Sequence, residues 1–150
     1  MHFDLRLDRG GIPGALAGWM KPFDLIERTR LFALDVRNFC GQLPATDEGR
    51  EAGQQLRRAG NSTRSNYRAA RKARSPDEFT SKLQIAFEEA DEAFDWLVYL
   101  RDSNIHENPS LLQEAFEISS ILGAAVKTAR RNQQARRQGR RRKPPPTSDF

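Results

Sequence analysis

Ser75-Pro76-Asp77-Glu78-Phe79 is the stretch that decides the fold. A serine stands before a proline, and a glutamate lies three positions after the serine. In that arrangement the hydroxyl takes a first-turn N–H, and the proline sits where no donor is needed. A helix therefore starts here. Behind it Phe79, Leu83, Ala86, Ala90, Ala93, Leu97 and Leu100 recur at alternating intervals of four and three. This alternation keeps one apolar seam turned toward partner helices, as in left-handed packing with crossings near about +20°.

Working upstream, a second helix is predicted from Thr46 or Asp47. Asp47, Glu48 and Glu51 lie in its first turns and Arg71, Lys72 and Arg74 at its end, which complements the helix dipole. Gly60 falls in mid-helix, where glycine weakens helical preference. A first helix over Pro22 to Cys40 follows from Leu25, Thr29, Phe32, Val36 and Phe39, flanked by Ile26, Ala33 and Cys40. Gly41 and Pro44 end it. Downstream, Asn104 to Ser110 reads as a turn, and Asn108-Pro109 opens a fourth helix. Its apolar arc is Leu111, Leu112, Ala115, Phe116, Ile118, Ser119, Leu122, Ala125, Val126 and Ala129. No segment shows strand periodicity. The predicted fold is all-α, an antiparallel up-down-up-down four-helix bundle with short connections.

The bundle is assigned to residues 20–131. Residues 1–19 hold Gly10, Gly11, Pro13, Gly14 and Gly18 and no face to bury, so a disordered leader is expected, with Met20 as an alternative start. Residues 132–150, with Gly139 and Pro144 to Pro146, are expected to form a disordered tail. The formal charge of the 150 residues is +5, and all of it sits in that tail. Residues 20–131 carry equal numbers of acids and bases, whereas residues 132–150 carry six bases against Asp149. Such an arm is drawn to polyanions, above all nucleic acid.

Most catalytic chemistries find no residues here. His2 and His106 are the only histidines, and Ser103 stands three before His106, so the Glu-x-x-His pair of a di-metal bundle is missing. His106 reads as a solvated turn residue. Cys40 is the only cysteine, which excludes an internal disulfide and a zinc cluster, and its apolar spacing marks an inert core thiol. No cofactor, metal or catalytic set is expected. No apolar run approaches the roughly 20 residues a membrane span needs, and the start lacks the pattern of a signal peptide; a cytoplasmic location without membrane partners is expected.

What remains is charge laid out on helices. With Leu56 as reference and about 100° per residue, Ala52, Ala59, Thr63, Tyr67 and Ala70 form the core face of the second helix. Arg50, Arg57, Arg64, Arg68 and Arg71 fall together beside it. On the third helix Glu88, Asp91, Glu92, Asp95 and Asp102 lie opposite the seam, alongside Ile85, Trp96 and Tyr99, which have no place in it. Arginine's planar fork favours bidentate contact with carboxylate or phosphate, and aromatics rimmed by charge are what interface cores contain. Self-association is expected, with Ile85, Glu88, Glu92, Trp96 and Tyr99 of one subunit meeting the arginine face of another. Unlike patches make the contact heterologous, and such contacts can close into a ring.

Leu56-Arg57-Arg58-Ala59-Gly60-Asn61-Ser62, Asn66-Tyr67-Arg68-Ala69-Ala70, Ser75 with Glu78-Phe79, Ile85-Ala86 with Glu88-Glu89-Ala90-Asp91-Glu92, and Trp96-Leu97 together resemble a family. It is that of small bacterial four-helix-bundle proteins, some encoded in intervening sequences of large-subunit ribosomal RNA genes. Relatives are accessory variability proteins of diversity-generating retroelements. The similarity runs from about Phe23 to Ala125. It departs from the commoner pattern at Thr63 to Ala70, which continues as helix where an Ile-Pro-x-Asn-Ile-Ala-Glu-Gly-like segment is usual. The resemblance implies a ring-shaped homopentamer, nucleic-acid binding through basic surfaces and no catalysis. By the same resemblance the partners are further copies of the chain, RNA or DNA, and a reverse transcriptase or a ribosomal RNA element.

Two functional readings follow. In the first, the protein is a non-enzymatic oligomeric nucleic-acid-binding or ribonucleoprotein-scaffold protein that touches phosphates without reading sequence, through Arg57, Arg64, Arg68, Arg71, Arg136, Arg137, Arg140, Arg141, Arg142 and Lys143. In the second it is an oligomeric protein-interaction adaptor whose charged stripes serve self-assembly only.

Overall fold

A computed structural model of the protein describes residues 22–142. These form four helices and, among the described residues, no strand: α1 (Pro22–Cys40), α2 (Asp47–Arg71), α3 (Pro76–Asp102) and α4 (Pro109–Arg142). The leader over residues 1–19, the alternative start at Met20 and residues 143–150 lie outside the described residues.

The caps sit where side-chain chemistry places them. Thr46 Oγ1 accepts from the Gly49 N–H at 3.1 Å, and Ser75 Oγ accepts from the Glu78 N–H at 3.1 Å. Glu78 reaches back past the serine to accept the Arg74 N–H at 2.9 Å. Asn108 Oδ1 takes the Leu111 N–H at 3.0 Å and opens α4. Each cap satisfies a donor that the first helical turn leaves without an intrahelical partner. Gly49 is required by closeness rather than by backbone angle, because a Cβ there would lie 2.3 Å from the Pro44 carbonyl oxygen. Gly49→Ala is expected to destabilise the protein by about 1–3 kcal/mol, the usual cost of an overpacked site. Chemical denaturation checks this, and a variant as stable as the parent would show that the α1–α2 turn yields freely.

Helix α1 packs on α2 and α4, α2 on α3, and α3 on α4, so each helix has two neighbours around one core. Every seam residue of α3 is buried, with Phe79 the most exposed at 8%. Leu56, Leu83, Leu100, Ile118, Leu122, Phe32 and Val36 supply the bulk. The faces where α2 meets α3 are built from small residues: Ala52, Ala59 and Ala70 against Ala86, Ala90 and Ala93. Gly60 belongs to the same logic. A Cβ on it would stand 3.2 Å from Val36 of α1, so its weak helical preference is exchanged for a close helix approach. Buried Thr63 and Thr80 keep their hydroxyls satisfied within their own helices, on the Ala59 and Pro76 carbonyls.

Two expectations are corrected. The fourth helix does not end near Arg131 but continues to Arg142, so the first eleven residues of the expected disordered tail are helical. Gln, Ala and Arg are strong helix formers, and Gly139 alone, at roughly 1 kcal/mol, does not outweigh them before the prolines begin. His106 is not a freely solvated turn residue. It is half-buried, stacks on Phe39 with ring centroids 4.9 Å apart, and places Nε2 3.1 Å from Gln42 Oε1. It thereby closes one end of the core.

Candidate functional site

The arginine face of α2 survives as a surface feature. Arg57 and Arg68 are exposed, and Arg64 and Arg71 are half-buried. None of these four forms an ion pair among the described residues. Arg50 differs: it pairs with Asp47 and donates to the Ala45 carbonyl, so it is spent on the start of its own helix. On α4, Arg136, Arg137 and Arg140 are exposed, and of these only Arg137 approaches a carboxylate among the described residues, Asp77 at 4.0 Å. Arg141 and Arg142 complete the helix, and Lys143 lies outside the described residues.

The opposing set on α3 is less free than its helical angles imply. Glu88 is exposed, whereas Ile85 and Glu92 are half-buried. Trp96 is half-buried too, packs against the core, and meets the Tyr99 ring edge-on at 5.7 Å. Tyr99 stays 42% exposed and donates its hydroxyl proton to Glu48 of α2. These aromatics lie outside the buried seam, as expected, yet Trp96 packs against the core from beside it. With small residues at the α2–α3 contact, a ring as wide as indole reaches round the seam and covers it. The two aromatics line a cleft of about 280 Å³ with Glu48, Glu51 and Asp95.

Two features are not foreseen from the sequence. Arg28 of α1 donates to Glu114 at 2.6 and 2.9 Å and to Glu117 at 2.9 Å, which ties α1 to α4. Hydrogen bonding to Glu114 is the main cause that raises the Arg28 pKa further, and Glu117 is held below the usual carboxylate range by Gln113 and then Arg28. A signal for it exists, since Arg28 falls between Leu25 and Phe32 at the border of the apolar arc. The second feature is a groove of about 660 Å³ between α3 and α4, floored by Phe87, Phe94 and Phe116, with Phe116 51% exposed. Gly123 is kept small by Phe87, whose ring would stand 3.0 Å from a Cβ. The apolar arc expected for the fourth helix includes Phe116; it borders the groove instead, at the outer limit of an arc too broad for one face.

The remaining candidates for chemistry are quiet. Burial pushes the Cys40 thiol up to about 11, so it is protonated and unreactive at neutral pH. Glu89 is raised by burial first and then by Glu92, and its Oε2 is buried without a hydrogen-bond partner among the described residues. Among the described residues no three His, Cys, Asp or Glu side chains gather where a metal ion could be held. Nor is any described helix long and apolar enough to cross a membrane.

The comparisons with known proteins agree with this architecture. No curated protein matches the chain. A solved structure that does match is a protein of unknown function from the S23 ribosomal protein family of Bacteroides thetaiotaomicron, with 27% identity and a TM-score of 0.63. The match covers 72% of this chain and 99% of that one. The sequence model of the 23S rRNA-intervening sequence proteins matches residues 21–124, from the start of α1 to the middle of α4. With more than half of its length matched, and with the fold that the resembled motifs implied, the chain belongs to the 23S rRNA-intervening sequence protein family.

Proposed function

We propose that this protein is a non-enzymatic, oligomeric nucleic-acid-binding or ribonucleoprotein-scaffold protein that grips phosphates without reading sequence. The observation that carries the reading is the set of guanidinium groups on α2, Arg57, Arg64, Arg68 and Arg71, which have no carboxylate partner among the described residues. Arginine forks left in this state are suited to phosphate oxygens. An antiparallel up-down-up-down course is supported by the residue pairs that meet: Val36 with Gly60, Glu48 with Tyr99, Phe94 with Phe116, Arg28 with Glu114.

Assembly into a ring of five copies belongs to the same proposal. It places Glu88, Glu92 and the exposed edges of Ile85, Trp96 and Tyr99 of one subunit against the next, in a bacterial cytoplasm. The partner is RNA or DNA, and the genetic element served is a ribosomal RNA gene or a reverse-transcriptase cassette. The adaptor reading stands second: in it the α2 arginines meet intersubunit carboxylates and never phosphate. A salt titration of binding to single- and double-stranded RNA and DNA separates the two. Affinity that falls steeply and log-linearly with salt is expected for every sequence alike. Absence of binding to all four at low salt would leave the adaptor reading in its place.

A further inference from the structure

The apolar stripe of α4 changes character where the bundle ends. Leu122, Val126 and Ala129 face the core, and the same three-and-four spacing continues as Gln133, Arg136, Arg137 and Arg140. Gln133 donates to Asp77 at the first turn of α3, and Arg137 approaches the same carboxylate, so the level of the bundle's end is marked. Beyond it about nine residues of α4 overhang by roughly 13 Å at 1.5 Å per residue. The arginines on the inner face of this overhang are exposed because no helix remains opposite them. Beneath them lies the α2–α3 turn, with Arg71, Lys72 and Arg74. Among the described side chains the acids at this end are Asp77, Glu78 and, on the first turns of α1, Glu27, and each is engaged: Asp77 by Gln133 with Arg137, Glu78 by Arg74 and Glu27 by Arg30. The opposite end carries six acids, Asp47, Glu48, Glu51, Asp95, Asp102 and Glu107, against Arg37, Arg50 and Arg101. The protein is therefore electrically polar along its length, with a positive corner between a projecting helix and the end of the bundle.

Resting on the nucleic-acid reading above, we infer that this corner is a docking site for double-helical DNA: the α4 overhang enters the major groove while Arg71, Lys72 and Arg74 hold the adjoining phosphate backbone. The shape decides between duplexes. A bare helix of about 10–12 Å fits the roughly 12 Å wide major groove of B-form DNA, whereas the major groove of an RNA duplex is deep and too narrow for it. Within the overhang Arg136 and Arg137 project about 100° apart at nearly one level, so phosphates on both walls of a groove come within reach. The family match covers residues 21–124, so the overhang lies beyond the matched range.

Fluorescence anisotropy with a DNA duplex of about 20 base pairs, the RNA duplex of the same sequence and a single strand tests the inference on the full chain. The combined variant Arg136→Gln, Arg137→Gln and Arg140→Gln is expected to weaken DNA-duplex binding at least ~30-fold in about 100 mM salt, and to lower the salt slope by about 2 to 3. Ala135→Pro changes no charge but breaks the overhang at its root, and a loss of at least ~10-fold is expected. Gly139→Ala, at a position where a Cβ meets nothing within 4 Å, should firm the helix and tighten binding about 2- to 5-fold. If Ala135→Pro binds as the parent does, the arm is a flexible polycation and the helical site is wrong. If the triple glutamine variant binds undiminished, the corner is not the site, although the broader nucleic-acid reading stands. A preference for the RNA duplex over the DNA duplex removes the groove assignment alone. Only an intact protein that binds none of the three probes removes both readings together.

Discussion

Leu83→Ala is expected to cost about 2–5 kcal/mol of unfolding free energy, toward the upper part of that range. Leu83 is fully buried, and so are Ala86 and Ala90, which follow it on the same seam. A fully buried leucine leaves a cavity that the surrounding packing closes only in part, which adds to the lost transfer energy. Leu97→Ala is expected to cost less within the same range. Leu97 is 3% exposed and borders a surface cleft of about 320 Å³ with Phe94, Leu112 and Phe116, whose rings and branches can move inward. Since a domain of this size is stable by roughly 5–15 kcal/mol, the Leu83 variant removes a large share of the total. Urea unfolding followed by circular dichroism gives the values. A loss under about 1 kcal/mol at Leu83 would mean that the α3 seam is not the core, and with it the assignment of residues 75–100 would fall.

That helix is legible in the sequence because both of its signals are local. Ser75 and Glu78 speak for a cap within four residues, and the four-and-three spacing from Phe79 to Leu100 needs no knowledge of what lies opposite. The three other helix starts announce themselves in the same way, through Pro22, Thr46 and Asn108-Pro109. Long-range features are harder to read. Nothing in the residues around Arg28 says that two glutamates of α4 come within 3 Å of it, although its place beside the apolar arc marks an arginine at a helix border. The helical projection rightly keeps Trp96 out of the seam but does not reveal its packing beside it, because the angle gives the direction of a Cβ and not the reach of an indole. His106 likewise becomes an end-plug only once the turn brings Phe39 and Gln42 to it.

The charged stripes show where local reading stops short of function. Their residue types and angles follow from the sequence, and Arg57, Arg64, Arg68 and Arg71 of α2 do remain without carboxylate partners among the described residues. The acids of α3 are partly drawn into the subunit, since Asp91 takes the Ser119 hydroxyl at 3.2 Å and Gln84 donates to Glu88 at 2.6 Å. Pattern alone cannot distinguish a carboxylate that waits for a neighbouring subunit from one that already has a neutral partner. The same limit applies to α4: composition with glycine and three prolines suggests a disordered tail, yet the run from Asn132 to Arg142 contains enough Gln, Ala and Arg to propagate a helix already nucleated by the bundle.

Truncation after Arg131 is expected to reduce nucleic-acid affinity about 10²-fold at roughly 0.1 M salt while leaving the bundle as stable as before. The shortened chain lacks Arg136, Arg137, Arg140, Arg141, Arg142 and Lys143 against the single acid Asp149, which brings its net charge close to zero. Each phosphate that is no longer neutralised lowers the salt slope by about 0.9, so three to five fewer ion pairs with the backbone flatten it by roughly 3 to 5. In an oligomer the deficit is repeated in every subunit, and the effective concentration that holds a second arm near the same strand disappears with it. The folding side is equally specific. The removed stretch touches the bundle through Gln133 and Arg137 on exposed Asp77, and exposed pairs of this kind contribute little. Helical content should therefore fall by about eleven residues with the melting temperature nearly unchanged. Undiminished affinity and an unaltered slope would assign phosphate binding to the α2 arginines alone. A large fall in melting temperature would instead make the end of α4 part of the core, and a polar helix end lying over Asp77 would then have to bury far more than its sequence allows.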